Sequence, residues 1–170
     1  MLTAAISGVV LIFLGMGLSR PLLQMMETPA DVIDHSVLYM RIIFAGMPAS
    51  MLYNFGAAIL RAVGDTQRPL YFLLTAGVIN VLLNLFFVIV LHMGVAGVAT
   101  ATVISQCVSA ALVILCLVRS DGVYRLDLKK LRIYKHKLKE MARIGIPAGI
   151  QGSMFSISNV LIQSTINSFG

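Results

Sequence analysis

The chain is organised around residues 61–106. They comprise the polar turn Arg61-Ala-Val-Gly-Asp-Thr-Gln-Arg-Pro69, an apolar stretch carrying Asn80 and Asn84, and the segment Gly94-Val-Ala-Gly-Val-Ala-Thr-Ala-Thr-Val-Ile-Ser-Gln106. The two asparagines are four residues apart, so a helix places them on one face. An amide in hydrocarbon is costly unless a polar group meets it. The pattern predicts that both asparagines face a cavity or a neighbouring helix.

The composition excludes a soluble domain. Of the 170 residues, 58% are hydrophobic and only 12% are charged, and the mean hydropathy is +0.91. Five apolar stretches are each about long enough to cross ~30 Å of hydrocarbon. They are residues 1–18, 37–60, 69–91, 94–118 and 144–170. The sequence therefore predicts an all-α, polytopic transmembrane helix bundle with about five spans.

The distribution of lysine and arginine predicts the orientation of these spans. The turn 61–68 carries two basic residues and the segment 119–143 carries nine, whereas the opposite side offers only Arg20. Basic loops remain on the cytoplasmic side of a membrane, so both 61–68 and 119–143 are predicted to be cytoplasmic. The net charge of +6 is then a topology signal, and we do not expect nucleic acid as a partner.

The basic segment 119–143 also has an apolar periodicity. Leu128, Leu131, Tyr134, Leu138 and Met141 recur at helical spacing among the lysines. This pattern is typical of an amphipathic helix that lies on the anionic lipids of the inner leaflet. A specific regulatory-lipid or calmodulin site is the alternative.

Two faces of the fourth stretch carry different residue types. One is a ridge of small residues that lets another backbone approach closely, formed by Gly97, Ala101, Ser105 and Ser109. The adjacent face carries Thr102 and Gln106, which could turn inward and meet Asn80 and Asn84. The alternative, which spacing alone slightly favours, is that these residues make interhelical hydrogen bonds that only hold the bundle together.

Several helix breaks are predicted as well. Pro48 should kink the second stretch. Gly64 can end a helix in the left-handed conformation, with Asp65 or Thr66 capping the next helix. Gly145, Pro147 and Gly149 predict a bent or irregular start to the last stretch, which carries a polar stripe facing other helices or water. That stripe comprises Ser156, Asn159, Gln163 and Asn167.

The sequence offers little for catalysis. His35, His92 and His136 are scattered without metal-ligand spacing, and the five stretches contain no Asp or Glu. We therefore expect neither an enzyme, nor a metal site, nor a bound cofactor. Bent helices with neutral polar groups at membrane depth are more typical of a carrier.

Together these motifs resemble the multidrug and toxic compound extrusion (MATE) transporters. The resemblance rests on 61–69, on Asn80-Val-Leu-Leu-Asn84 and on 94–106, followed by Gly145-Ile-Pro147 after a basic linker. Members of that family have twelve helices in two six-helix lobes, and the five stretches correspond to helices three to seven. The resemblance thus implies a partial N-lobe at 1–118 with four transmembrane helices, a cytoplasmic linker at 119–143 and a truncated first C-lobe helix at 144–170.

The resemblance also implies a function and a site. Family members export cationic, often aromatic compounds in exchange for H⁺ or Na⁺. In one branch the N-lobe cation site uses a helix-one acid, an Asn/Asp pair four apart on helix five and a Thr on helix six. These last positions carry over to Asn80, Asn84 and Thr102, with Asn84 standing where that pattern has the titratable Asp. In another branch helix seven carries a Glu where this chain has Phe155.

The sequence thus predicts an antiporter of the bacterial cytoplasmic membrane, in a chain that is a fragment of a longer transporter. Its partners would be cationic small molecules, the lipid bilayer and the transporter's remaining helices. The predicted cation or substrate contacts are Asn80, Asn84, Thr102 and Gln106, and Ser156, Asn159 and Gln163 would line the cleft between the lobes. Two alternatives remain: a lipid-linked saccharide flippase of the same superfamily, and a membrane scaffold that does not transport.

Overall fold

The computed structural model describes residues 1–26, 28–29, 32–120, 125–127 and 132–168, except for the side chains of 167 and 168. Within these residues the chain is helical. The elements are α1 (Leu2–Met25), α2 (Ile33–Ala45), α3 (Met47–Ala62), α4 (Gln67–Leu85) with a π-helical extension (Phe86–Val90), α5 (Gly94–Arg119) and α6 (Lys135–Ser168). The predicted all-α architecture is confirmed.

Three helices are long and apolar enough to cross a membrane: α1, α4 with its π-helical extension, and α5. The pair α2 and α3 forms a fourth span if it is counted as one broken helix, bent by 47°. The chain is therefore a multi-pass membrane protein. Among the described residues α6 does not meet the same criterion of length and hydropathy, so a fifth span at 144–170 stays a prediction.

The bend between α2 and α3 lies at Gly46, and Pro48 occupies the first turn of α3. A proline is tolerated in a first turn because no helical hydrogen bond to its nitrogen is needed there. The predicted kink is therefore present, in the form of a helix end followed by a new start.

Two helix boundaries differ from the prediction. The first helix runs through Pro21 to Met25 instead of ending near residue 18. The last helix starts at Lys135 and passes Gly145, Pro147 and Gly149 without a break, so its start is not irregular, and a bend there stays a prediction. Proline and glycine are tolerated inside membrane helices because one lost backbone hydrogen bond can be met by local adjustment.

The continuous α6 also takes in part of the basic segment. Residues 135–143 are helical and run directly into 144–168. Leu138 and Met141 lie on this helix, and Tyr134 directly precedes it. Leu128 and Leu131, the other two apolar positions of the predicted amphipathic helix, lie outside the described residues.

The turn between α3 and α4 has the geometry that its sequence predicts. Gly64 adopts a positive φ of 87°, and its N–H donates to the Arg61 carbonyl at 3.0 Å while the Asp65 N–H donates to the Leu60 carbonyl at 2.9 Å. This pair of bonds is a Schellman motif, which satisfies the last carbonyls of α3. Asp65, rather than Thr66, caps α4 because its Oδ1 accepts the Arg68 N–H at 3.1 Å.

Helix α5 is the centre of the bundle, since it packs against α2, α3 and α4 while α1 covers α2 and α3. Close approach depends on small residues. A Cβ on Gly8 would lie 2.4 Å from the Pro48 Cα, and one on Gly56 would lie 2.8 Å from the Val113 side chain. The predicted ridge of α5 is buried along its whole length, at Gly97, Ala101, Ser105 and Ser109.

Candidate functional site

The candidate site lies between α4 and α5, which a tight connection holds side by side. His92 and Gly94 both have positive φ, at 51° and 54°, and the Met93 N–H donates to the Phe87 carbonyl at 3.0 Å. The chain reverses within these few residues, so α4 and α5 are adjacent and antiparallel. Each residue on the inner face of α4 is therefore set against a fixed position of α5.

Asn80 is the hub of a hydrogen-bond network across this interface. Its Nδ2 donates to the Thr102 Oγ1 at 3.4 Å and to the Ser105 Oγ at 3.3 Å. Its Oδ1 accepts from the Asn84 Nδ2 at 3.0 Å. The structure thus brings together three of the predicted site residues: Asn80, Asn84 and Thr102. All three are partly buried.

Ser105 belongs to this network but was predicted only as part of the packing ridge. It is 5% exposed, and its oxygen accepts from Asn80. The available signal was its position three residues after Thr102, which places both hydroxyls on one side of the helix. Ser105 was assigned to helix packing alone because it is small, although a serine can pack closely and also accept a hydrogen bond through its hydroxyl.

Asn84 ends the network with an unsatisfied oxygen. Its Oδ1 is buried, and among the described residues it has no hydrogen-bond partner. A buried acceptor without a donor carries a free-energy cost of about 1–3 kcal/mol. This oxygen is therefore an acceptor that a hydrogen-bond donor or a cation would stabilise.

An open groove runs beside the network along the two helices. It has a volume of about 310 Å³, and its walls include Asn80, Thr102, Ser105 and Gln106. Gln106, the fourth predicted site residue, thus shares the groove with Asn80, Thr102 and Ser105, whereas Asn84 is not part of its walls. Within the described residues its side chain makes no hydrogen bond to either asparagine.

The chemistry of this site is that of neutral oxygen and amide groups. The five residues that form it are two asparagines, one glutamine, one threonine and one serine. In the part of the chain that the structure describes, no three residues of the His, Cys, Asp or Glu type come close enough to hold a metal ion together. The groups that this part of the chain contributes to the site bind by dipoles and hydrogen bonds.

The second set of predicted residues is not brought to the network. Ser156, Asn159 and Gln163 are exposed on α6, and the Ser156 hydroxyl donates to the Gly152 carbonyl of its own helix at 3.4 Å. None of the well-packed pairs among the described helices includes α6. Asn167 lies on the same helix, but its side chain is outside the described set. The role of this stripe in a cleft stays a prediction.

Comparison with known proteins places this architecture among transporters. The family model MatE matches residues 1–86. The chain is 33% identical over 156 residues to the probable multidrug resistance protein YpnP of Bacillus subtilis (strain 168), covering 92% of this chain and 35% of that protein. It is 34% identical over 173 residues to the probable multidrug resistance protein YoeA of the same organism, covering 96% and 37%.

A solved structure has the same fold. It is the inward-facing conformation of a multidrug resistance MATE family transporter of the MOP superfamily, with a TM-score of 0.77 and 25% sequence identity over 86% of this chain and 33% of that one. The chain spans about a third of the length of the relatives that it matches.

Proposed function

Since this chain belongs to the MATE family, we propose that it works as part of a secondary active transporter that exports cationic drugs or other small organic compounds in exchange for H⁺ or Na⁺. Two of its relatives are named as probable multidrug resistance proteins. The proposal places export in the plasma membrane, with 61–68 and 119–143 on the cytoplasmic side, as the basic residues predict.

The observation that carries the proposal is the unpartnered oxygen of Asn84 at the end of the Asn80 network. A network that serves packing usually satisfies its buried acceptors, because an unsatisfied acceptor destabilises the bundle. A binding site has this property in its empty state. The two asparagines, Thr102 and Gln106 are accordingly the proposed contacts for the cation or substrate.

The chemistry of the pair favours Na⁺ over H⁺ at this position. Hard cations bind oxygen ligands such as amide carbonyls, and the network offers neutral amide and hydroxyl oxygens. An asparagine side chain has no titratable group, so the pair cannot take up a proton in the way a carboxylate does. Proton coupling would then require a group elsewhere in the transporter.

The basic start of α6 supports a second contact, with lipid headgroups. Arg132, Lys135, Lys137, Lys139 and Arg143 are exposed at or near its beginning. Exposed basic residues next to a membrane are attracted to anionic lipids by about 1 kcal/mol each. We place this part of the helix at the anionic surface of the inner leaflet.

The test is efflux of a fluorescent cationic dye from cells that express the full-length protein. Wild type is compared with Asn80→Ala and Asn84→Ala at matched membrane abundance, with the Na⁺ and H⁺ gradients collapsed in turn. The control is Asn54→Ala, because Asn54 is an exposed asparagine of α3. It has the same side chain and the same substitution outside the network.

We expect efflux to fall at least about tenfold in both network variants, as for loss of a group that binds the ligand directly, and to persist in Asn54→Ala. Collapse of the Na⁺ gradient should reduce wild-type efflux more than collapse of the H⁺ gradient. Unchanged efflux in the network variants would show that the asparagines only hold the bundle. Absence of efflux from the wild type would contradict the transport proposal itself.

A further inference from the structure

The two hydroxyl groups that face Asn80 both donate their protons to backbone carbonyls of α5. The Thr102 Oγ1 donates to the Val98 carbonyl at 2.9 Å, and the Ser105 Oγ donates to the Thr102 carbonyl at 2.8 Å. A hydroxyl has one proton and two lone pairs. Towards Asn80, both oxygens can therefore act only as acceptors.

This arrangement fixes which end of the Asn80 amide faces α5. With Nδ2 towards α5, the amide donates to both hydroxyl oxygens, at 3.4 and 3.3 Å. With Oδ1 towards α5, three acceptors would meet with no proton between them, which is repulsive. The backbone carbonyls of α5 thus determine the orientation of a side chain on α4.

The orientation passes on to Asn84. Because the Asn80 Nδ2 donates to the hydroxyl oxygens of α5, the Asn80 Oδ1 faces Asn84. There it accepts a hydrogen bond from the Asn84 Nδ2 at 3.0 Å. The end that remains for a ligand is the Asn84 Oδ1, which is buried and unpartnered. A reversed network would leave an N–H group there, and an N–H group repels cations.

We propose that Ser105 is a positioning residue that fixes the Asn80 and Asn84 amides so that the site presents an oxygen and selects cations or hydrogen-bond donors. The inference rests on the cation site proposed above and adds the residue that determines whether the Asn84 amide presents its oxygen or its N–H group to the ligand. Ser105 acts through Asn80 and has no contact with the ligand in this mechanism. Its oxygen is the nearer of the two acceptors, and its side chain is 5% exposed.

Removing the Ser105 hydroxyl should weaken this selection. In Ser105→Ala, Asn80 keeps one acceptor, the Thr102 oxygen at 3.4 Å, so the reversed amide meets one opposing lone pair instead of two. Both orientations then become populated, and the cation finds an oxygen only part of the time. Residues that orient a cation-coordinating side chain through a hydrogen bond typically change the cation affinity by about tenfold or more when they are mutated.

Ser109 provides the matched control. It is one helical turn further along the same ridge and is 3% exposed. Its hydroxyl donates to a backbone carbonyl, that of Gln106, at 2.9 Å, which is the same local bond that Ser105 makes to Thr102. Ser109 also lines the groove, but Asn80 donates to Thr102 and Ser105, so Ser109→Ala removes a buried groove hydroxyl and leaves both acceptors of Asn80 in place.

The experiment measures the Na⁺ dependence of Tm for the purified full-length protein. NaCl replaces choline chloride at constant chloride and ionic strength, and the Tm curve yields an apparent Kd for Na⁺. We expect Ser105→Ala to raise this Kd about tenfold and Ser109→Ala to change it less than about twofold. Without Na⁺, Ser105→Ala should have a slightly lower Tm than Ser109→Ala, because of the two serines only Ser105 accepts a hydrogen bond from Asn80.

Ser105→Cys gives a second, graded variant, because a thiol keeps the size of the side chain but is a weak acceptor. Its Kd should lie between those of the wild type and Ser105→Ala, and any other order contradicts the proposal. Equal Kd values for Ser105→Ala and Ser109→Ala would overturn the role of Ser105 and leave the cation site standing. A wild-type Tm that does not respond to Na⁺ would overturn both.

Discussion

The polar stripe of α4 and the polar stripe of α6 have similar sequences and different surroundings. Asn80 and Asn84 are four residues apart, as are Asn159 and Gln163. In the first stripe the amides bond to each other and to hydroxyls of α5. In the second the residues are exposed, and α6 is absent from the well-packed pairs of described helices.

The difference lies in the neighbouring helix and its small residues. The ridge of α5 lets α4 approach closely enough for side chains as short as asparagine and serine to meet. Gly97 is part of this approach, because a Cβ at that position would lie 3.0 Å from the Cβ of Phe87 and also 3.0 Å from that of Met93. Gly149 of α6, by contrast, has open space around it. Spacing places polar groups on a face, and packing decides whether they find partners.

The largest expected effect comes from adding the same side chain to these two glycines. Gly97→Val should force the π-helical extension of α4 away from α5 and lower the free energy of unfolding by about 1–3 kcal/mol, as overpacking does. Gly149→Val should change it by less than about 0.5 kcal/mol. SDS unfolding of the full-length protein in mixed micelles measures both. An equal loss at the two positions would show that α6 packs as tightly as α5.

Much of the fold was predictable from the sequence because it depends on local signals. Apolar length identified the spans that the structure contains, Gly64 marked the turn before α4, and the small residues at every fourth position marked the buried ridge of α5. The course of α6 was not predictable in this way. Gly145 and Pro147 weaken a helix by propensity, whereas the structure accommodates both in a continuous helix.

The candidate site was predictable in part. Helical spacing placed Asn80 and Asn84 on one face, and the resemblance added Thr102 to the site. Ser105 was missed because its involvement depends on the register of α4 against α5, which only the short turn at His92 sets. The direction of the hydrogen bonds was equally hidden, since it depends on backbone carbonyls and not on side-chain identity.

A smaller difference in the free energy of unfolding is expected when one asparagine of each stripe is replaced by leucine. Asn80→Leu keeps the approximate size of the side chain but removes the hub and leaves the Asn84 amide without its acceptor. We expect a loss of about 1 kcal/mol, the scale of side-chain hydrogen bonds between membrane helices. Asn159→Leu should be neutral or slightly stabilising in the same SDS assay. A loss at Asn159 equal to that at Asn80 would show that Asn159 is also held by hydrogen bonds that stabilise the protein.

The smallest effect expected is that of a single acceptor. Thr102→Val keeps the shape of the side chain and removes one of the two oxygens that accept from Asn80, while Ser105 still holds the amide at 3.3 Å. Because one acceptor remains, the loss should be only about 0.5 kcal/mol. Thr75→Val is the control, since the exposed Thr75 hydroxyl donates to the Tyr71 carbonyl of its own helix. If Thr102→Val instead costs as much as Asn80→Leu, the two acceptors are not interchangeable, and the threonine oxygen holds the amide by itself.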